Sequence, residues 1–475
     1  MAPLLSFIQV RYQHGSVVTA GWDGCETDGG DCMRRMSIFW GCTIPARFPF
    51  IEKATRLALA GLGVDAVDVA GFTCCPETTL VRSADEDAYY LTAARNLAVA
   101  EREGLPLMTP CNGCYSTFKS VLSTLKIDWR RRQAINRRLS ECGLVFGGDI
   151  DVWHLVEWLS DDFGPAALSD RVTRPLWGMR LAVHHGCHLL RPTPAVNWDS
   201  PTAPVKFEQL LCALGATVVD YETKMNCCGN ALDRVGERGT SLEMLGRKLA
   251  DMSRHAADAI VVCCPSCFLQ FDLNQATVLR ESRSAGLPVF YLTELIALAT
   301  GVDPADLGVD MHRVSVAPFM EKWSAKLEQR ADLTRSFSLS WLETCAQCRA
   351  CDTDCPVAQT TDEFVPSAVI ARLLTGDLAA VLDLPDIWHC LDCMTCYERC
   401  HSRLGMADVF QTLKRLAREQ GKIPAPARSN YQMFVSTGML GTPRQGVRER
   451  MGLPELPPSG SNELRAVLAE SEDEE

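Results

Sequence analysis

Two adjacent cysteine pairs, Cys74-Cys75 and Cys227-Cys228, are each followed after the same 35 residues by a Cys-x2-Cys unit, Cys111 with Cys114 and Cys264 with Cys267. A single cysteine precedes each pair, Cys42 by 31 intervening residues and Cys187 by 39. Spacing repeated this closely marks two copies of one structural unit, each bringing five thiols together. Neighbouring thiolates repel unless cations offset them, and adjacent cysteines rarely reach one small ion together. A multi-iron cluster offers the several separated coordination sites that such a quintet needs. Structural zinc takes four ligands in paired spacing and does not account for the double cysteines.

The same local patterns flank each quintet. Ser37–Trp40, Val64–Val69 and Leu105–Thr109 read as strands, with helices predicted over Ile51–Ala60 and Ala84–Glu103. Their counterparts are strands at Arg180–His184, Thr217–Asp220 and Ala259–Val262, and helices at Lys206–Leu214 and Ser241–His255. Every cysteine group then falls just beyond the carboxyl end of a strand, where α/β folds place their ligand crevices. Gly61-x-Gly63-x-x-Ala66 imitates a dinucleotide fingerprint, but it follows a helix and precedes a strand, the reverse of the required order. Neither a flavin nor an NAD site is expected in this chain, so its electrons must come from another protein.

From Trp341 onward the pattern changes. Cys345-x2-Cys348-x2-Cys351-x3-Cys355-Pro356 and Cys390-x2-Cys393-x2-Cys396-x3-Cys400 write the bacterial two-cluster ferredoxin run twice. In that arrangement the fourth cysteine crosses over. One cubane [4Fe-4S] cluster is thereby assigned to Cys345, Cys348, Cys351 and Cys400, the other to Cys390, Cys393, Cys396 and Cys355. His401 stands where the second run usually has proline. Of the 23 cysteines, five remain. Cys142 and Cys212 are expected as core thiols and Cys263 as packing beside Cys264. Cys25 and Cys32 fall in a loop rich in Gly and Asp.

The expected fold class is α/β: two duplicated cysteine-rich α/β domains followed by a mainly helical ferredoxin-like [4Fe-4S] domain. The boundaries read as an amino-terminal extension over 1–36, cysteine-rich domains over 37–168 and 169–300, a linker over 301–337, the ferredoxin-like domain over 338–420 and an extended tail over 421–475 with a disordered acidic end. Within these, Ser160–Leu176 reads as the linker between repeats, Met320–Thr334 as an amphipathic helix and Ile423–Arg428 as an extended arm. A formal net charge of −12 is the wrong sign for attraction to phosphate or anionic lipid, so nucleic acid is not an expected partner. No apolar run reaches the roughly 18 to 20 residues of a membrane span. Met1–Gln9 lacks a basic leader and a cleavage site, so a cytoplasmic protein with reduced thiols is expected.

Gly41-Cys42-Thr43, Cys74-Cys75-Pro76, Pro110-Cys111-Asn112-Gly113-Cys114, His185-Gly186-Cys187-His188, Asn226-Cys227-Cys228-Gly229 and Cys264-Pro265-Ser266-Cys267-Phe268 carry a family resemblance. Through them the segment from Ser37 to Gly301 resembles the B subunit of heterodisulfide reductase, and Ser338 to Arg418 resembles its C subunit. The resemblance implies a B–C fusion whose two CCG domains each hold a non-cubane [4Fe-4S] cluster, one on Cys42, Cys74, Cys75, Cys111 and Cys114, the other on Cys187, Cys227, Cys228, Cys264 and Cys267. Between them a disulfide, the CoB-CoM heterodisulfide or an analogue, is reduced by two one-electron steps. The resemblance also implies a flavin-containing A-like subunit as electron donor, a place in anaerobic metabolism, and hydrogenase, formate dehydrogenase or acyl-CoA reductase components as further partners.

Free thiol products need protons. His185 and His188 flank Cys187, and Lys224 lies just before Cys227, which makes them candidates to donate protons or hold an anionic substrate. The competing role for the two histidines is to orient the ligand loops. Two other functions fit the same residues: an electron relay between a flavoprotein and another redox enzyme of acyl-CoA or sulfur metabolism, and a glycolate or lactate oxidase iron–sulfur subunit. The domain order disfavours the last, whose ferredoxin part usually comes first.

Overall fold

A computed structural model describes residues 34–77, 79–282, 286–345, 349–361, 364–375, 378–400 and 405–470. Cys25, Cys32, Cys348, His401, residues 1–33 of the expected extension and the acidic end beyond Glu470 lie outside them.

The first repeat builds a sheet from β1 (Arg34–Ile38), β2 (Val64–Asp68), β3 (Leu107–Thr109) and β4 (Val152–His154), in the order β2-β1-β3-β4. The second uses β5 (Arg180–His184), β6 (Thr217–Val219), β7 (Ala259–Val262) and β8 (Val289–Tyr291), in the order β6-β5-β7-β8. β1 runs parallel to β2 and β3, and β7 parallel to β5 and β8. The central strand β7 is apolar throughout, with all four residues buried, because it is covered on both faces. The intervening helices start and stop where the sequence dictates. Pro49 begins Pro49–Gly61, and Asp85 accepts the Ala88 N–H to cap Glu86–Glu103, which Gly104 ends in the left-handed region.

Sequence patterns missed the edge strands β4 and β8, each only three residues long. They matter because each runs straight into a helix whose third residue reaches back to the strand end: Glu157 accepts the His154 N–H at 3.3 Å and Glu294 the Tyr291 N–H at 2.8 Å. The Glu294 carboxylate also meets His312 at 2.9 Å, both side chains fully buried. Burial works against the charge on His312, but Glu294 outweighs it and holds the imidazole above its ordinary pKa. This pair therefore contributes stability below the ordinary imidazole pKa and loses it as pH rises through the raised value. His312→Leu, which leaves the carboxylate buried without its partner, is expected to cost about 3–5 kcal/mol in chemical denaturation.

Three expectations need correction. Ser160–Leu176 is not an open linker: Leu159–Phe163 is a π-helical turn and Pro165–Asp170 a helix, because Pro165 starts it and Leu168 is buried. The arm at Ile423–Arg428 is not extended, since a helix runs over Ala425–Thr437, followed by Gln445–Arg450 and Ser461–Glu470. Proline in a first helical turn has no N–H to lose there, so Pro426 starts the helix and does not prevent it. Cys142 and Cys212 are exposed, not core thiols. Cys212 lies off the stripe of Phe207, Leu210 and Leu211 that its helix buries.

The chain divides into two compact units. The first holds both repeats apart from two short segments of the second repeat. The second takes 317–475 with 175–179 and 215–217, and its core gathers Trp177, Leu333, Phe364, Ile370, Leu382 and Phe410. The amphipathic helix expected at Met320–Thr334 runs over Ala317–Ser336 and buries Trp323, whose indole N–H donates to the Pro175 carbonyl at 2.9 Å.

Candidate metal centres

In a sheet ordered β2-β1-β3-β4 the strand order reverses between β1 and β3, and ligands bind beyond the carboxyl ends at that point. Cys42 follows β1 and caps the short helix Thr43–Arg47, while Cys111 follows β3 and caps Asn112–Ile127. Cys187 and Cys264 stand at the same places after β5 and β7. The double cysteines occupy the loops after β2 and β6. At Cys42, Cys111, Cys187 and Cys264 the neighbouring thiols oppose the charge: hydrogen bonding to Cys74 holds Cys42 above its ordinary pKa, hydrogen bonding to Cys227 does the same for Cys187, and of the four only Cys264 is lowered.

In the first pocket Cys74 Sγ lies 3.6 Å from Cys42 Sγ, and Cys75 hydrogen-bonds with Cys114 and Cys74. Cys75, Cys111 and Cys114 are buried, whereas Cys42 and Cys74 face solvent. Gly41 has φ +71°, and a Cβ there would sit 3.0 Å from Cys114 Sγ, so the strand end passes close under the thiols. Asn96 holds the Cys74 loop: its amide donates to the Cys74 carbonyl and accepts from the Thr73 N–H, both at 3.0 Å.

The second pocket repeats this. Cys228 Sγ lies 3.7 Å from Cys267 Sγ, and Cys187 hydrogen-bonds with Cys227. Lys248, on the helix matching that of Asn96, is buried and donates to the carbonyls of Thr223, Lys224 at 3.3 Å and Asn226 at 3.1 Å. Burial lowers its pKa to about 8. The pockets adjoin: Cys111 of the first half hydrogen-bonds with Cys264 of the second. Asn112 fixes that junction, donating to the His185 carbonyl at 2.8 Å and accepting from Cys263 Sγ at 3.3 Å. The Tyr291 hydroxyl donates to the Pro110 carbonyl across the same seam.

The non-cysteine candidates divide. His185 is buried against the Phe207 ring, 5.7 Å between centroids, and burial pushes its pKa down to about 3, so it stays neutral. Lys224 is held by Glu208 at 2.7 Å and Asp220 at 2.9 Å, which leaves little charge for an anionic substrate. His188 is half-buried beside Cys187. Sequence reasoning missed Asn96, Asn112, His184 and Lys248. Asn112 stands inside a Cys-x2-Cys unit and His184 three residues before Cys187, so position alone could have marked them; Asn96 and Lys248 carry no local signal.

In the second unit Cys355, Cys390, Cys393 and Cys396 line one pocket with Phe364, Met406 and Phe410. Arg349 and Met394 hold the same place in the two runs and share left-handed φ of 56° and 60°. Each precedes a short helix, Ala350–Asp354 or Thr395–Arg399. Strain of about 1–3 kcal/mol per such residue persists only where surroundings demand it.

These thiols suit an iron–sulfur centre and little else. Among the described residues every cysteine is free. Hydrogen bonds from Cys114 and Cys74 bring Cys75 down to about 5, while Cys114 is held well above its ordinary value by Cys111 and Cys75. In the second pocket Cys187 and Cys228 bring Cys227 down to about 2, and Cys227 in turn raises Cys228 to about 12. One thiolate forms at the expense of its neighbours; only added cations would let all five ionise.

A cysteine-rich domain family model matches residues 36–119 and 181–272, and a 4Fe-4S dicluster domain model matches 341–404. These are iron–sulfur domains. The chain is 39% identical over 292 residues to the B subunit of the ferredoxin/F420H2-dependent CoB-CoM heterodisulfide reductase of Methanosarcina acetivorans, covering 61% of this chain and 97% of that one. It is 30% identical over 159 residues to a protein of Archaeoglobus profundus described as like the C subunit of heterodisulfide reductase, covering 32% of this chain and 83% of that one. A crystal structure of a hypothetical protein from Helicobacter pylori shares the fold with a TM-score of 0.50 at 16% identity, over 60% of this chain; the chain spans about half of that structure, 52%. Among the described residues no helix is long and apolar enough to cross a membrane.

Proposed function

The chain belongs to the heterodisulfide reductase family, as a fusion of its B and C components, and on that premise we propose that it reduces a disulfide between its two sulfur pockets. The observation that carries this is the meeting of two unbridged thiol quintets at the buried Cys111 and Cys264. Cys42, Cys74, Cys75, Cys111 and Cys114 would hold one non-cubane [4Fe-4S] centre, and Cys187, Cys227, Cys228, Cys264 and Cys267 the other. Cys345, Cys348, Cys351 and Cys400 would hold one cubane, and Cys390, Cys393, Cys396 and Cys355 its neighbour. When bound, such centres supply electrons one at a time and thiophilic iron.

Splitting one S–S bond takes two electrons and two protons and yields two thiols, which suits a pair of adjoining sites. The protein supplies access and position. Cys42 and Cys74 form the open edge of the first pocket, so a substrate sulfur enters there. Arg234, within 2.9 Å of the Ser266 hydroxyl and 3.9 Å of Glu77, ties the loops of the two halves beside that edge. His188 is placed to carry a proton. His185, kept neutral, and Lys224, already paired, serve in orienting the Cys187 and Cys227 loops. Electrons would come from a flavin-containing A-like subunit through the carboxyl-terminal unit, as part of a multi-subunit complex.

The test is to reduce anaerobic protein with a small artificial donor and add disulfides. Two thiols are expected per disulfide consumed. Protein that holds its full iron yet converts no disulfide is an electron relay instead.

A further inference from the structure

Besides Asn96 in one and Lys248 in the other, the two pockets differ at the ends of their central strands. Three residues before Cys42 stands Phe39, and three before Cys187 stands His184. The levels match: β1 pairs Ile38 with Met108, one step short of the level at which β5 pairs His184 with Val262. Phe39 is enclosed by the rings of Phe72 and Phe118, at 5.0 and 4.8 Å. His184 is also buried, packed edge-on to Phe271 at 4.9 Å, but it carries two ring nitrogens that have no hydrogen-bond partner among the described residues. One ring nitrogen lies with Cys228 Sγ and Cys267 Sγ in a buried group whose atoms are all within 4.8 Å of one another.

A neutral imidazole always has one N–H to donate, and a buried donor left unpaired is destabilising. The atoms grouped with this nitrogen are sulfur. We propose that His184 donates its N–H to sulfur at the second centre and so raises that centre's reduction potential above that of the first, which has only Phe39 at the matching place. An N–H aimed at sulfur stabilises the additional negative charge of the reduced state, and hydrogen bonding to sulfur is one of the main settings of cluster potential. The two sites are thus inequivalent by construction, and the second fills with electrons before the first. His184 is a positioning and tuning residue, not a ligand.

This rests on the reading that both quintets hold clusters, and iron content tests that separately. Anaerobic holoprotein is titrated with reductant and followed by electron paramagnetic resonance. His184→Phe is expected to keep its iron and to lower the midpoint potential of one centre while the other stays in place. His184→Asn, which keeps an N–H, is expected to restore most of the shift, and the reciprocal Phe39→His to raise the first centre. Unchanged potentials at full iron content would overturn the proposal. Loss of about four irons from His184→Phe but not from His184→Asn would overturn it in favour of a ligand role. If His184→Phe fails to fold, Phe39→His decides: no rise at the first centre refutes the tuning effect.

Discussion

Disulfide turnover is expected to fall more than about a hundredfold in Cys228→Ala, beyond the 10- to 100-fold that loss of an outer partner costs a metal site. Cys228 is 5% exposed, stands 3.7 Å from Cys267 Sγ and hydrogen-bonds with Cys227. Alanine removes the sulfur and leaves Cys227 and Cys267 facing a hole. The fold itself should survive, because the methyl fits where the thiol was. Cys142→Ala and Cys212→Ala are the controls: both side chains are exposed and outside the quintets, so iron content and turnover should stay at the wild-type level. Turnover that persists in Cys228→Ala would place the chemistry elsewhere.

Gly186→Ala is expected to disable the second pocket although no ligand is touched. Gly186 has φ +75° with ψ 152°, a region essentially reserved for glycine that costs alanine about 1–3 kcal/mol, and its Cβ would be driven into Asn112 Nδ2, with Cys267 Sγ 3.6 Å away. Asn112 has no room to move. It is 2% exposed and bonded on both sides, to the His185 carbonyl at 2.8 Å and to Cys263 Sγ at 3.3 Å. Displacing it leaves a buried carbonyl and a buried amide unpaired, about 1–3 kcal/mol each. The sum, about 3–9 kcal/mol, is comparable with the whole stability of many domains. Thermal unfolding and iron content measure it; a variant that keeps both within error would show that Asn112 does not fix the seam. Gly239→Ala is the matched control, since no atom lies within 4 Å of a Cβ there and its φ is ordinary.

The contrast between these two substitutions shows what the sequence makes legible. Cys228 announces itself because its spacing repeats that of Cys75, and repetition survives without coordinates. The central strands of the second repeat were equally plain, Arg180–His184 and Ala259–Val262 appearing with the bounds their patterns predict, whereas in the first repeat β1 runs over Arg34–Ile38 and not Ser37–Trp40. Gly186 and Asn112 lie inside recognisable motifs, but Asn112 bonds the carbonyl of His185, 73 positions away, and no periodicity encodes that. The edge strands β4 and β8 were missed for a related reason. Three residues are too few for alternation to register, and their place is set by pairing with β3 and β7. Lys224 has Asp220 four residues before it as a legible partner, but its other partner, Glu208, lies on a helix 16 positions earlier and no local pattern marks it. The tail helix was hidden by prolines that look like breakers until their position in the first turn is known.

Iron counting joined to Mössbauer spectroscopy of anaerobically prepared protein tests the central claim most directly. Four [4Fe-4S] centres require about 16 irons per chain, half of them with signatures unlike those of the ferredoxin type. A count near 8, with ferredoxin-type signals alone, would contradict the account, leaving the paired thiol pockets without their clusters.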